Sequence, residues 1–161
     1  MTDDLHISGF QIKIVAECMK NKIAPRLKAI LEGVSGVRSV NFDRVKLAAA
    51  DFQEFELPAV QVYDVAETVT HEQSRAKKDW QLAIEIIMKP TADDQINQSD
   101  LWNLQYSIER ALWRDPRLGV GAGMIHIKYL GAATDLHLLE PFYICRMDVT
   151  VTFYEHLVQD C

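Results

Sequence analysis

The side chains best able to do chemistry are scattered along this sequence. Five histidines (His6, His71, His126, His137, His156) and three cysteines (Cys18, Cys145, Cys161) are present, with no CxxC pair among them. A zinc site needs such ligands at short, regular separations. His71-Glu72 opens like half of a helical HExxH motif, but the second histidine would fall at position 75, which is Arg75. His126 alternates with Met124 and Lys128 on an expected strand, yet no second ligand stands two residues away, so a hydrogen-bonded sheet histidine is the favoured reading. Asp93 and Asp94, beside Asp100, could hold magnesium; negative charge placed ahead of a helix N-terminus is the commoner use of such residues. Gly119, Gly121 and Gly123 lack the Lys-Ser/Thr of a phosphate loop and precede a strand, which marks a flexible turn. Cys18 and Cys145 read as reduced thiols packed as small apolar groups. The expectation is a protein that is not an enzyme, with no catalytic residue, metal ligand or cofactor site.

The elements that would position these residues follow from periodicity. Ser8 and Gln11 have the spacing of a capping box, and Ile12, Val15, Met19, Ile23, Leu27, Ile30 and Val34 form one helical stripe. Pro25 interrupts it, so either one helix bends there or a second helix begins with Pro25 in its first turn. Residues 37–42 alternate as a short strand, and Leu57-Pro58-Ala59-Val60-Gln61-Val62-Tyr63 reads as a better one. Residues 65–79 are polar and charged, either a long exposed loop or the tip of an extended hairpin. Residues 80–89 alternate strongly, with Trp80, Leu82, Ile84, Ile86 and Met88 on one face. Ser99 is the expected cap of a second amphipathic helix that buries Leu101, Leu104, Ile108, Ala111 and Leu112 and stops before Asp115-Pro116. Residues 124–130 and 142–155 complete the strands. The fold class is therefore α+β: a four- to five-stranded, mostly antiparallel or mixed sheet with two main helical elements on one face. No linker divides the chain, so residues 1–161 are expected to form a single domain.

With 48% apolar and 25% charged residues the chain can enclose a core unaided. The balance of 17 basic to 23 acidic side chains, net −6, with no basic run longer than Lys77-Lys78, argues against binding nucleic acid by phosphate neutralisation. Short, charge-interrupted apolar stretches and an acidic start argue against membrane insertion and a secretory signal, leaving a cytosolic product.

The order of Leu57-Pro58-Ala59-Val60-Gln61-Val62, a charged segment, Trp80-Gln81-Leu82 and a closing Val149-Thr150-Val151-Thr152-Phe153-Tyr154-Glu155 resembles the tail terminator proteins of long-tailed bacteriophages. The resemblance covers roughly residues 22–156; the section 1–21 is a longer N-terminal extension, and 131–141 looks like an insertion. It implies a homohexameric ring at the head-proximal end of the tail, assembled in the host cytoplasm. Such a ring ends polymerisation of the tail tube and offers a surface for head attachment. The implied partners are other copies of the chain, the tail tube protein and a head-completion or neck protein. DNA would pass through the lumen without sequence-specific recognition.

Within that picture Glu67, His71, Glu72, Arg75, Lys77, Lys78 and Asp79 are candidates for inter-subunit or tail-tube contact, since mixed charge sets register and partner choice. A merely solvated loop fits the same residues. Trp102, Tyr106, Arg110, Trp113 and Arg114 read as core edge plus solvated face, with any exposed aromatics serving protein contacts. The competing functions are a head-completion or neck protein at the same junction, a small metal-dependent hydrolase using Asp93, Asp94 and His126, and a module that binds peptides along its edge strands.

Overall fold

A computed structural model describes residues 18–42, 52–89, 98–135 and 142–156. Helix α1 (Met19–Glu32) buries Ile23, Leu27 and Leu31, one residue per turn on a single stripe. Pro25 lies inside this helix, neither at its start nor between two helices. It sits on the solvent side, where the carbonyl it cannot donate to is open to water. The capping box at Ser8 and Gln11, with Ile12 and Val15, falls outside the described residues.

After Gly33 the chain enters strand β1 (Ser39–Phe42). A 3-10 turn at Glu54–Glu56 and a cis Leu57–Pro58 bond precede β2 (Ala59–Glu72), which turns at Gln73 and Ser74 into β3 (Arg75–Met88). Helix α2 (Gln98–Arg114) buries Leu101, Leu104, Ile108 and Leu112, as its spacing requires; Ser99 lies within its first turn. The glycine-rich turn has positive φ at Gly119, Gly121 and Gly123 and leads into β4 (Met124–Asp135) and then β5 (Tyr143–His156).

The five strands form one sheet in the order β1-β2-β3-β5-β4. β1 runs parallel to β2 and every other pairing is antiparallel. The α+β mixed sheet of the sequence reading is thus present. Period-two alternation sorts the side chains. Trp80, Leu82, Ile84, Ile86 and Met88 join Cys145, Met147, Val149, Val151 and Phe153 beneath the two helices in the main core. On the opposite face, among the described residues, Phe52, Leu57, Ala59, Ile87 and Phe142 make a smaller cluster at one end.

Two expectations change. Residues 65–79 are not a loop: they are the distal halves of β2 and β3, in register from Glu67↔Trp80 to Glu72↔Arg75, with β5 backing β3 out to Arg75↔His156. The hairpin reading holds, and β3 begins five residues before the alternating run. Similarly, residues 131–135, taken as part of an insertion, continue β4 as a strand paired with β5. Among the described residues no helix is long and apolar enough to cross a membrane.

Candidate functional site

The charged residues singled out in the sequence do not point uniformly to solvent. Alternation puts Glu67 and Lys78 on the helix-bearing face, and the start of α1 comes down upon them. Lys78 Nζ lies 2.6 Å from Glu155 on β5 and 3.7 Å from Glu67 on β2. Lys20 Nζ, in the first turn of α1, reaches Glu67 at 2.6 Å and stands 4.9 Å from the Trp80 ring centroid. The backbone N–H of Met19 donates to Glu155 Oε1 at 2.8 Å, satisfying one of the orphan donors of the helix start. Trp80 Nε1 donates to Asp64 on the same face. Four chain segments, α1 and strands β2, β3 and β5, therefore meet in one alternating-charge network.

The network sets the ionisation of its members. Lys78 is raised above the ordinary lysine range, chiefly by its hydrogen bond to Glu155, against burial and with help from the charges of Glu155 and Glu67. Burial pushes Glu155 upward. The Lys78 hydrogen bond, the Met19 N–H and the charges of Lys78 and Lys20 outweigh it, and the carboxyl ends below its ordinary range.

The remaining candidates are dispersed. Glu72 and Arg75 pair across the turn at 3.2 Å, and the Arg75 guanidinium lies 3.8 Å from the Tyr154 ring centroid. Asp79, on the opposite face, accepts from Thr152 Oγ1 at 2.7 Å. Lys77 shares that face at a position level with Tyr154, and His71 is exposed on β2 near the hairpin tip. Sequence reasoning missed Lys20 and Glu155, although Glu155 closes the strand motif. Nothing local marks either residue as a partner of Glu67 or Lys78.

A second surface lies on α2. Trp102, Tyr106 and Trp113 recur at four and seven residues and stand 54%, 58% and 67% exposed, with Arg110 over the Tyr106 ring. They are not core edge, and an aromatic stripe of this kind has the composition of a protein-docking surface.

Among the described residues no group of three or more His, Cys, Asp or Glu side chains could hold a metal. His126 is half-buried on β4, while Asp93 and Asp94 lie outside the described residues. Burial pushes the Cys145 thiol up, away from the thiolate a nucleophile needs, and its Sγ donates to Gln105 Oε1 at 3.4 Å.

No protein-family model matches this chain, and no curated protein matches it. In three dimensions it is similar to a chain of a solved structure described as the virion of a native gene transfer agent particle. The TM-score is 0.55, the identity 14%, and the match covers 88% of this chain and 98% of that one. At that identity the likeness is one of fold.

Proposed function

We propose that this chain is a structural component of a phage-like virion, and more narrowly a tail terminator. Six copies close into a ring that caps the tail tube, ends its growth and presents the surface to which the head attaches. The observation that carries the reading is the fold shared along nearly the whole chain with a component of a gene transfer agent virion. The order of sequence motifs from Leu57 to Glu155 supports the narrower assignment.

The mechanism is capping by mismatch and involves no turnover. One annular face copies the docking surface of a tube subunit, while the other face does not, so no further tube ring adds. The exposed part of the β2–β3 tip, with His71, Glu72 and Arg75, is available for register-setting contacts with the tube or a neighbouring copy. The protein works at the head-proximal end of the tail after assembly in the host cytoplasm. Its partners are its own copies, the tube protein and a neck protein.

Electron microscopy of tails made without this protein tests the reading. Overlong tails are expected. Tails of normal length that fail to join heads would instead assign the chain to the neck, and unaltered particles would discard both roles.

A further inference from the structure

Helix α2 carries a second stripe besides the one it buries. Trp102, Tyr106, Glu109 and Trp113 follow one another at intervals of four, three and four residues, the spacing of a coiled-coil seam. At 3.6 residues per turn they fall within about 60° of arc, clear of the face made by Leu101, Leu104, Ile108 and Leu112. The three aromatic side chains are each more than half exposed, and Glu109 is half-buried. Beside the stripe runs a groove of about 460 Å³ between the end of α1 and α2, lined among others by Ile30, Gly33, Tyr106, Arg110, Ala111 and Arg114. The Arg110 guanidinium leans back over the Tyr106 ring, 5.7 Å from its centroid, so one charged and one aromatic wall of this groove also belong to the stripe.

We propose that this stripe is a self-docking surface: α2 packs antiparallel against α2 of a second copy about a two-fold axis. The inference goes beyond the ring. A two-fold contact closes at two partners, whereas a ring of six needs head-to-tail contacts, so the pairing stands or falls independently of the terminator reading.

The stripe contains its own complement. Turned end over end about an axis between residues 107 and 108, it sets Trp102 opposite Trp113 of the second copy and Tyr106 opposite Glu109 of the second copy. Each pair occurs twice. The Tyr106 hydroxyl can donate to the facing Glu109 carboxylate, and Arg110, held over Tyr106, brings its positive charge to the same level. On the flank, Arg110 comes level with Asn103 of the other copy, so no like charges are opposed. A parallel pairing would set Glu109 against Glu109 in the middle of the seam, which charge repulsion disfavours. The helix dipoles also oppose one another in the antiparallel arrangement.

The groove adds shape to this match. Trp102 of the second copy falls level with residues 110–114, at the mouth of the groove, where Gly33 and Ala111 leave room for an indole. Arg110 and Arg114 stand on either side of that position, suited to stacking on the ring face. With the rings and their flanks, two copies would cover on the order of 1,000 Å² in total, the lower bound for a specific contact. A reversible dimer of that size dissociates in the micromolar range.

The test uses the whole chain with two single charge changes, Glu109→Arg and Arg110→Glu, both on the outer side of α2. Sedimentation equilibrium reads the doubling of mass, whether of single chains or of closed rings. Each variant alone is expected to raise the dissociation constant of the pair at least tenfold with an unchanged circular dichroism spectrum. Mixed in equal amounts, the two are expected to pair again, because the altered charge in each copy then faces its opposite in the other. The double variant should also pair. Rescue by mixing cannot arise from damaged folding or from a foreign ligand. Wild type that shows no doubling at its highest soluble concentration, single variants that pair as well as wild type, or a mixture that stays apart would overturn the inference. So would a tube or neck protein that binds the stripe in a chain that never pairs with itself.

Discussion

The Lys78 ammonium sits 2.6 Å from the Glu155 carboxylate, and that short contact ties β3 to β5 at the point where the first turn of α1 meets the sheet. Both side chains are about four-fifths buried, so the pair is better shielded from water than an ordinary surface ion pair. Glu155 also takes the Met19 N–H, and Lys78 also faces Glu67, which in turn holds Lys20. The position of α1 on the sheet therefore depends on charges contributed by three strands and the helix itself.

Replacing Glu155 with Gln should lower stability by roughly 1–2 kcal/mol, the lower part of the range for a charged hydrogen bond, because the part of each side chain still open to water screens the pair. Urea denaturation checks the size. Hydrogen exchange is expected to locate the loosening at the amides opening α1, while the far end of the sheet keeps its protection.

The same pair predicts a dependence on pH. The folded Glu155 pKa lies below its unfolded value of about 4.3, so its contribution is full above that value and is lost as pH falls through the folded pKa. Wild type should lose more stability than Glu155→Gln between about pH 5 and about pH 3. Lys78 acts in the opposite sense: its folded pKa is raised, so its contribution persists below the unfolded lysine pKa and fades as pH rises through the folded one. Thermal unfolding of both forms across pH measures the difference, and equal slopes on the acid side would refute it.

Gly123 has φ of +90°, and a Cβ there would lie 3.2 Å from both the Met19 side chain and the Tyr154 carbonyl. Its own carbonyl accepts the Tyr154 N–H at 2.7 Å, which fixes the backbone. Gly123→Ala is expected to cost about 1–3 kcal/mol, whereas Gly121→Ala, with open space around it, should show only the cost of left-handed backbone. Comparing the two by chemical denaturation isolates the close approach.

Ile108 is fully buried between α2 and the sheet. Truncation to Ala should destabilise by about 2–5 kcal/mol through lost burial and the cavity left behind. The midpoint in urea should fall with little change in slope.

Trp113 is two-thirds exposed on the outer side of α2. Trp113→Ser should change the stability of the isolated chain by no more than about 0.5 kcal/mol. A weakened attachment of the variant to its partners, measured beside unaltered folding, would show that the aromatic stripe is spent on docking.

The amphipathic patterns were readable in one dimension because they record burial. Ile23, Leu27 and Leu31 share a helix face by spacing alone, and Trp80 through Met88 alternate because every second side chain meets the helices. Residues 75–79 gave no such signal. Of these only Ala76 is fully buried, and their strand state comes from pairing with β2 and β5 on either side. The same holds for residues 131–135, whose small side chains adopt a strand because β5 lies beside them.

What the sequence determined by itself was the α+β class, the helix-facing residues and the absence of metal-ligand spacing, all properties of local order and composition. Tertiary structure decided that Glu67 and Lys78, eleven positions apart, share a network with Lys20 and Glu155. The physical reason is that ion pairs and strand edges are defined by which distant segments lie side by side. Strand order fixes that, and periodicity along one segment carries no record of it.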